Sequence, residues 1–413
     1  MARRNSKLKT IMFSIVCLFL GFVIGAIGQI LFTLPDSYKI PKKVEGSRGT
    51  SLLSGDIDSN VINNSDLSIH FLELGNKYTG DCVYIKVGDV DILVDGGSKT
   101  SSIPFITEYV DNYFTDNVLD YVIITHAHED HYAGYATNED TESLFDYYTS
   151  NGNSITNIIT FAQTKKSESN KMHKNYLREL GVAIAKGSNH YSVLDCWEGK
   201  TIEGMGTAQK VYNLGTDSDG NNIEMQFLYT KFYTEAHRYD TSTENDYSVC
   251  FQIVQGEKIY LFTGDLEKEG EESLVDNNSN LKEVELYKAG HHGSKTSSTE
   301  DFMSVIKPKI VVVCCCAGSS EYTSKNENQF PTQEFVNNTS IYTDKIYVTT
   351  LCIDYAAAKF ESFNGTVAVC STGNGNNTTS VLCSNNTTVL KDSEWFKKNR
   401  TLPQNAVGGT ITA

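Results

Sequence analysis

Four potential metal ligands lie within six positions of this chain. Residues 125–134 read Thr-His-Ala-His-Glu-Asp-His-Tyr-Ala-Gly, and the four ligands are His126, His128, Asp130 and His131. They directly follow an apolar run at 119–124, which predicts a buried strand. A loop at a strand end can point three imidazoles and a carboxylate at one place, and these groups suit Zn, Mn or Fe. The pattern therefore predicts a metal site, and the chain has to adopt a fold in which this loop follows a buried strand and remains accessible.

Two later segments also place polar residues directly after apolar strands. Asp265 follows the run at 259–262, and His291 and His292 follow the short run at 286–287. A carboxylate at the position of Asp265 suits a bridge between two metal ions. Two such ions would lower the pKa of a bridging hydroxide and make it a nucleophile at neutral pH. The three segments together predict a site for two divalent metal ions.

The overall charge limits the partners that the chain can attract. Its 413 residues are 39% hydrophobic, which is enough for one large domain or two. The formal net charge is −16 at pH 7, and such a surface repels nucleic acid at long range. An anionic substrate would therefore have to be attracted locally, by metal ions or by a few lysines.

The N-terminal segment predicts a membrane anchor. Residues 11–32 carry no charge and are long enough to span a bilayer, and the basic residues Arg3, Arg4, Lys7 and Lys9 precede them. This charge distribution predicts a cytoplasmic N-terminus, a single-pass location in the cell membrane and an extracellular C-terminal domain. A cleaved signal peptide is the alternative interpretation.

The rest of the chain divides by composition. After the basic segment 1–10 and the predicted transmembrane helix 11–32, residues 33–66 are polar and predict a linker. Strand and helix patterns alternate through 67–372, with antiparallel hairpins at the start, which predicts an α/β domain of two sheets enclosed by helices. Residues 373–413 are rich in Asn, Thr, Ser and Gly and predict a low-complexity tail with one short helix near 393–398.

Five motifs in this order resemble a known family. The His-x-His-x-Asp-His motif at 126–131 is similar to the signature of the metallo-β-lactamase-fold hydrolases. The motif at 290–295, Gly-His-His-Gly-Ser-Lys, favours one branch, the extracellular hydrolase domain of the ComEC/Rec2 competence proteins. The other three motifs lie at 71–82, 92–97 and 262–265, and the resemblance covers about residues 67–320.

This resemblance implies a fold and a ligand set. The implied fold is an αβ/βα sandwich, in which two mixed β-sheets are flanked by helices and hold two divalent ions, Zn or Mn. His126 and His128 would bind one ion and Asp130 and His131 the other, with Asp265 as the bridge. Either His291 or His292 would complete a shell, and His291 is favoured. Asp95 would support the ligands from behind and Asp81 would shape the rim, although a purely structural role is the alternative for each.

The same resemblance indicates substrate contacts and also departs from the family in two places. Asn245 resembles a site residue of the branch, and Ser294 and Lys295 can bind a phosphate unless they belong to a solvated loop. Many superfamily members have one more ligand histidine before the bridging aspartate, and none of the histidines in that interval lies in a family motif. Those histidines are His173, His190 and His237. A late family histidine is also missing, since residues 329–331 read Gln-Phe-Pro.

The predicted function is a membrane-anchored extracellular metal-dependent hydrolase. A phosphodiesterase or nuclease is favoured, with Asp130 and Asp265 as catalytic residues that hold a metal-bridging hydroxide and with a phosphodiester or nucleic-acid-like substrate. DNA transport by the competence proteins uses many membrane spans, so it is not carried over to a chain with one predicted span. The alternatives are a hydrolase of lactones, β-lactams or thioesters, and a non-catalytic surface binding module.

Overall fold

The computed structural model describes residues 57–373 and 378–408. The predicted transmembrane helix at 11–32 lies outside these residues. Within them, no helix is both long enough and apolar enough to cross a membrane.

Eighteen strands are formed by the described residues. In chain order they are β1 (Leu67–Phe71), β2 (Val83–Val87), β3 (Val90–Val94), β4 (Val118–Ile124), β5 (Ser154–Thr160), β6 (Asn189–Ser192), β7 (Thr201–Ile202), β8 (Gly206–Thr207), β9 (Val211–Thr216), β10 (Asn222–Phe227), β11 (Phe251–Gln255), β12 (Lys258–Phe262), β13 (Leu286–Lys288), β14 (Ile310–Ala317), β15 (Ile346–Asp354), β16 (Lys359–Ser362), β17 (Val367–Ser371) and β18 (Thr379–Cys383).

The α-helices of the described residues are short, with one exception. They are α1 (Ile57–Asn63), α2 (Ile103–Val110), α3 (Glu129–Tyr132), α4 (Leu144–Tyr147), α5 (Lys171–Ala185), α6 (Val193–Glu198), α7 (Lys268–Asn277), α8 (Glu300–Ile306), α9 (Gln333–Thr339) and α10 (Glu394–Asn399). The longest, α5, is capped by Asn170, whose side chain accepts a hydrogen bond from the backbone N–H of His173 at 3.0 Å.

Two mixed sheets of eight strands form the body of the domain. The first has the order β18-β17-β1-β2-β3-β4-β5-β6, and the second has the order β16-β15-β14-β13-β12-β11-β10-β9. In the first sheet β3 to β6 run parallel, and in the second β12 to β15 run parallel. The remaining neighbours are antiparallel. The predicted arrangement of two mixed sheets flanked by helices is confirmed.

The central strands β12, β13 and β14 of the second sheet are buried along their whole length, because each face of the sheet contacts a different core. On β12, Tyr260 and Phe262 belong to the core shared with the first sheet, where Phe262 stacks on Phe71 with ring centroids 6.3 Å apart. Leu261 points the other way and packs with residues of α7, α8 and α9. Successive side chains of a strand point to opposite faces, and here both faces are buried. Residues 259–262 are therefore hydrophobic at every position and do not alternate.

Part of the predicted tail is folded. Thr379–Cys383 pairs antiparallel with β17 at the edge of the first sheet. Arg400 is 4% exposed, and its guanidinium donates to the carbonyl oxygens of Pro331 and Gln329 at 2.9 and 2.7 Å. The proposed boundary at 372 is therefore too early. Composition concealed this because a strand of five residues and a buried arginine hardly alter the polar average of the segment.

Candidate metal centre

The candidate ligands follow the carboxyl ends of parallel strands, one in the first sheet and two in the second. β4 ends at Ile124 and leads into the loop and short helix that contain residues 126–131. β12 ends three residues before Asp265, and β13 ends four residues before His292. The carboxyl ends of parallel strands are where open α/β sheets place binding sites, because loops from neighbouring strands converge there.

One group of side chains, which we call the carboxylate subsite, gathers residues from both sheets. Its members are Asp130, His131, Asp265 and His292, and their ligand atoms all lie within 4.8 Å of one another. Oδ2 of Asp265 is 3.0 Å from Nε2 of His131 and 3.2 Å from Nε2 of His292. Nε2 of His292 also lies 3.4 Å from Oδ2 of Asp130. The geometry thus places Asp265 at the centre of the group.

A second group, which we call the histidine pair, consists of His126 and His128. Nε2 of His126 and Nδ1 of His128 are 3.1 Å apart, so the two ring nitrogens converge. The pair adjoins the carboxylate subsite, since the rings of His126 and His131 have centroids 4.2 Å apart. His126 is buried and His128 is half-buried. Both groups of the predicted ligand set are therefore brought to one place.

His292, and not the favoured His291, is the histidine that joins the carboxylate subsite. His291 turns away and lies 3.3 Å from Oε1 of Glu267 and 3.0 Å from Oγ1 of Thr296. Both histidines have positive φ, 44° and 54°, and this sharp backbone turn sends the two side chains in different directions. The preference for His291 is corrected accordingly. The sequence could not decide between neighbouring residues because the decision depends on the backbone conformation.

Asp95 contacts the ligand loop from behind the ligands. Its φ is +59°, and its carboxylate accepts hydrogen bonds from the N–H and the hydroxyl of Thr125. Oδ2 of Asp95 also lies 2.8 Å from Nδ1 of His131. A carboxylate on the far nitrogen of a histidine fixes the ring orientation and leaves the other nitrogen for a metal.

Asp81 lies deeper than a rim residue. It is 2% exposed, and Oδ1 is 3.3 Å from Nδ1 of His292. Asp81, Asp95 and His131 also lie close enough together to hold a metal ion, and this trio is distinct from the histidine pair. Asp81 therefore adds negative charge next to the carboxylate subsite.

Lys288 is the main residue of the site that sequence reasoning missed. It ends β13, is 2% exposed, and forms a close ion pair with Asp81. Its ammonium also lies 3.3 Å from Oδ1 of Asp265 and donates to the carbonyl oxygen of Gly264 at 3.0 Å. Lys288 therefore holds the oxygen of Asp265 that faces away from the histidines. The available signal was a lysine at the end of a predicted buried strand, because a buried lysine needs a partner.

The two groups of ligands differ in electrostatics. Burial lowers the pKa of His126 well below its usual range, and the nearby His131 adds to this effect. Burial also opposes the charged form of His131, but the carboxylates of Asp265 and Asp95 outweigh it and raise the pKa well above the ordinary value. For Asp265 burial opposes ionisation, yet the charges of His131, His292 and Lys288 keep its pKa far below normal. The carboxylates therefore favour positive charge within the carboxylate subsite, whereas burial disfavours it on His126.

The donor set fits divalent metal ions. Nδ1 of His292 lies 2.8 Å from the carbonyl oxygen of Cys314, which leaves Nε2 directed at the carboxylates. That buried Nε2 has no hydrogen-bond partner among the described residues, as expected of an atom that serves as a ligand. Imidazole nitrogens with carboxylate oxygens suit Zn or Mn. Cation binding would also relieve the repulsion among the carboxylates that meet here.

An open cavity of about 490 Å³ gives access to this centre. His128 and Asp130 line it, as does the predicted substrate residue Asn245. Tyr322, which sequence reasoning did not single out, lies at the mouth with 56% exposure and donates its hydroxyl to Oδ2 of Asp130 at 2.8 Å. The site is therefore reachable from solvent, and its rim comes from segments remote in sequence.

The other predicted substrate residues lie elsewhere. Ser294 is buried, and its hydroxyl hydrogen-bonds to Thr296 at 3.0 Å. Lys295 is exposed and lines a neighbouring cavity of about 880 Å³. Neither residue is among those lining the cavity of the metal centre.

The three histidines of the interval before Asp265 do not supply a further ligand. His190 lies 2.9 Å from Oγ1 of Thr160, and His237 lies 2.8 Å from Oδ2 of Asp240. His173 packs against Tyr176 on α5. Within 57–373 and 378–408, none of them belongs to a group that could hold a metal. The histidine pair therefore offers fewer protein ligands than the carboxylate subsite.

Comparison with known proteins agrees with this geometry. Residues 75–137 and 235–317 match the metallo-beta-lactamase superfamily. The ComE operon protein 3 of Bacillus subtilis (strain 168) is 38% identical over 72 residues, which cover 17% of this chain and 9% of that protein. The competence protein ComA of Neisseria gonorrhoeae is 33% identical over 108 residues, 26% of this chain and 15% of that protein.

A third relative extends the same pattern. Recombination protein 2 of Haemophilus influenzae is 31% identical over 75 residues, which cover 18% of this chain and 9% of that protein. The chain spans at most 15% of the length of these relatives, so the likeness concerns one part of each. The predicted resemblance is confirmed: two segments of this chain match the metallo-beta-lactamase superfamily, and parts of the chain are homologous to competence proteins.

Proposed function

We propose that the chain is a metal-dependent phosphodiesterase or nuclease-like hydrolase. The observation that carries this proposal is the convergence of Asp130, His131, Asp265 and His292 within 4.8 Å beside an open cavity. The match to the superfamily model supports a metal-dependent hydrolase, and the competence and recombination relatives favour phosphodiester chemistry over lactone or β-lactam chemistry.

We further propose that the centre holds two ions, Zn or Mn, one at the carboxylate subsite and one at the histidine pair. Bound ions would supply Lewis acidity at the phosphoryl oxygen and a nucleophile derived from water at neutral pH. Asp265 would help to hold the ion of the carboxylate subsite through Oδ2, because Lys288 engages its Oδ1. Asp130 and Asp265 would orient the attacking water, and Asp95 would keep His131 in place.

The protein also contributes by shaping access to the reacting atoms. Asn245 Nδ2 donates to Oε1 of Glu267 at 2.7 Å and lies 3.4 Å from Nδ1 of His291, so its amide is fixed at the cavity wall. Tyr322 packs against Phe330, with ring centroids 5.5 Å apart and the rings tilted by 40°, and brings its hydroxyl to Asp130. A substrate entering the cavity would meet these groups before it reaches the ligands.

The test measures metal and turnover on the same preparation. Mass spectrometry of the purified protein should find about two metal ions per chain, and bis-p-nitrophenyl phosphate should be hydrolysed with added Mn. Turnover should be lost in His128→Ala, whereas His237→Ala, at an exposed histidine outside the centre, should behave as wild type. A metal-loaded protein that cleaves a chromogenic β-lactam but no phosphodiester would refute the proposed bond class. A metal-loaded protein without any turnover would favour a binding role.

We propose in addition that residues 11–32 anchor the chain in the cell membrane with the hydrolase domain outside. The support is the uncharged run of 22 residues after a basic cluster. Protease added to intact cells should degrade the domain, and alkaline carbonate should not extract the full-length chain. Recovery of the domain in the carbonate-soluble fraction would contradict the anchor.

A further inference from the structure

Two lysines line the cavity of the metal centre, Lys99 and Lys166, and they differ in their partners. Lys99 forms a salt bridge of 2.7 Å with Glu129 and lies over the ring of Tyr78. Lys166 is half-buried beside His128, and no carboxylate lies within ion-pair distance of its ammonium among the described residues. Of the two cations, Lys166 alone is available to an incoming anion.

The backbone that carries Lys166 is held firmly. Its N–H donates to Oγ1 of Thr164 at 3.0 Å, and that hydroxyl donates to Oε1 of the buried Glu244 at 2.6 Å. The N–H of Lys165 donates to Oε2 of the same carboxylate at 2.8 Å. Glu244 immediately precedes Asn245, so the segment with Lys166 and the segment with Asn245 are tied to one anchor. A fixed base reduces the entropy lost when a lysine side chain orders on a ligand.

The carboxylates at the cavity are already engaged. Glu129 is paired with Lys99, and Asp130 faces His292 and Tyr322. Glu321 accepts a hydrogen bond from the N–H of Thr79 at 2.9 Å. Each of these carboxylates therefore has a donor, and Lys166 is the lysine of this cavity that has no ion-pair partner among the described residues.

The neighbouring cavity is more acidic than the cavity of the metal centre, whose lining holds three carboxylates and two lysines. It is separated from the metal centre by contacts among Asn245, Glu267 and His291. Its lining includes six acidic residues and two lysines: Asp240, Glu267, Glu269, Glu300, Asp301, Glu334, Lys268 and Lys295. An anionic polymer laid across this face would meet net repulsion, which agrees with the net charge of −16 for the whole chain.

We propose that Lys166 is the anion-binding residue of the metal centre and that the substrate is a compact phosphate ester, not a polynucleotide held along the surface. This proposal rests on the proposed function, because it names the substrate class of the same site. Lys166 would hold a non-bridging phosphate oxygen as a point charge. It takes the role that the sequence left open for Lys295, which lines the acidic cavity.

The experiment measures anion binding separately from turnover. Inorganic phosphate is titrated into the Mn-loaded full-length chain by isothermal calorimetry, for wild type, Lys166→Met and Lys295→Met. Lys166→Met should raise the Kd for phosphate about tenfold or more, because a hydrogen bond from a charged group is lost. Lys295→Met should change it less than about twofold. Metal content by mass spectrometry must be equal in all three proteins, so that loss of the ion does not imitate the effect.

The outcomes separate this proposal from the proposed function. Phosphate binding that depends on Lys166 in a protein without phosphodiesterase activity would keep the anion site and refute the proposed reaction. Equal phosphate affinity in wild type and Lys166→Met would overturn the anion site whatever the activity. A stronger effect of Lys295→Met would also overturn it and return the role to Lys295. A single-stranded oligonucleotide that binds more than ten times as tightly as phosphate would refute the compact substrate.

Discussion

The two halves of the metal centre begin on the same loop but are built differently. The histidine pair needs only residues 126 and 128, two positions apart on one loop. The carboxylate subsite joins that loop to Asp265 and His292, which come from the second sheet, and Lys288 and Asp95 hold it in place. One half is therefore a local feature of the sequence, and the other exists only when both sheets pack.

The two halves should also differ in their affinity for a metal ion. The carboxylate subsite has four converging ligands, two of them with a second hydrogen bond that fixes their orientation. The histidine pair has two ligands, one of them half-exposed. Ligand number and outer-shell support determine metal affinity, so the carboxylate subsite should bind the tighter ion.

Removal of Lys288 should have the largest effect on stability. Lys288→Met leaves Asp81 and Asp265 buried without their cation, and breaking a buried pair in this way costs about 3–5 kcal/mol. Urea unfolding of the metal-free protein measures the free energy. Lys268→Met, at an exposed lysine 3.9 Å from Glu272, is the matched control and should cost less than about 1 kcal/mol. Equal losses in the two variants would show that Lys288 does not support the carboxylate subsite.

Asp265→Asn should have the largest effect on activity. The substitution removes the charge that faces both His131 and His292 while it keeps the size of the side chain. Loss of outer-shell partners costs 10–100-fold, so loss of the central carboxylate should lower kcat/KM by about 100-fold or more. Hydrolysis of bis-p-nitrophenyl phosphate, with metal content determined in parallel, measures the effect. Asp276→Asn, at an exposed site on α7, should leave both quantities unchanged, and activity of Asp265→Asn within tenfold of wild type would contradict the central role.

His70 shows what burial does to a histidine that has no carboxylate beside it. It lies 2.7 Å from the hydroxyl of Tyr109 and 2.8 Å from that of Ser68, and burial, with a smaller effect of Lys86, lowers its pKa to about 3. The unfolded chain protonates this group near 6.5, so its contribution to stability is present above pH 6.5 and lost as the pH falls towards 3. His131 is equally buried but has a raised pKa, so the difference between the two histidines reflects the carboxylates beside His131.

Acid titration of stability tests this contrast. Between pH 6.5 and 5, the protonation of His70 in the unfolded state should lower the free energy of unfolding by about 2 kcal/mol. Urea unfolding of the metal-free protein at both pH values measures it, and His70→Gln should lose that part of the pH dependence. His237→Gln, at an exposed histidine, serves as control and should keep the wild-type response. An unchanged pH dependence in His70→Gln would contradict the lowered pKa.

The sequence was sufficient for features that depend on neighbouring residues. Positions 126–131 follow one strand and form one loop, so their ligand pattern could be identified before any fold was known. The selection of His292 depends on two positive φ angles in succession, which no residue type at these positions indicates. Lys288 has the place of an ordinary strand residue, and only the packing of the second sheet shows that its partners are Asp81 and Asp265.

The middle of the chain was the least predictable region, for a physical reason. Lys166 lies on a loop whose position is set by Glu244, almost 80 residues later in the chain, and that contact has no local pattern. The edge strand β18 was also missed, because a short strand with one face towards solvent carries little hydrophobic signal.

Stepwise removal of metal compares the affinities of the two halves directly. The expected difference between them is smaller than the effects of Lys288→Met and Asp265→Asn. A chelator titrated into the loaded wild-type protein should remove the ion of the histidine pair first, because that ion has two protein ligands and its partner has four. A separation of about tenfold in chelator concentration is expected between the two steps, measured by mass spectrometry after gel filtration. His128→Ala should abolish the first step and keep the second. His292→Ala should weaken the second step, so release of both ions together in every variant would mean that the two halves act as one site.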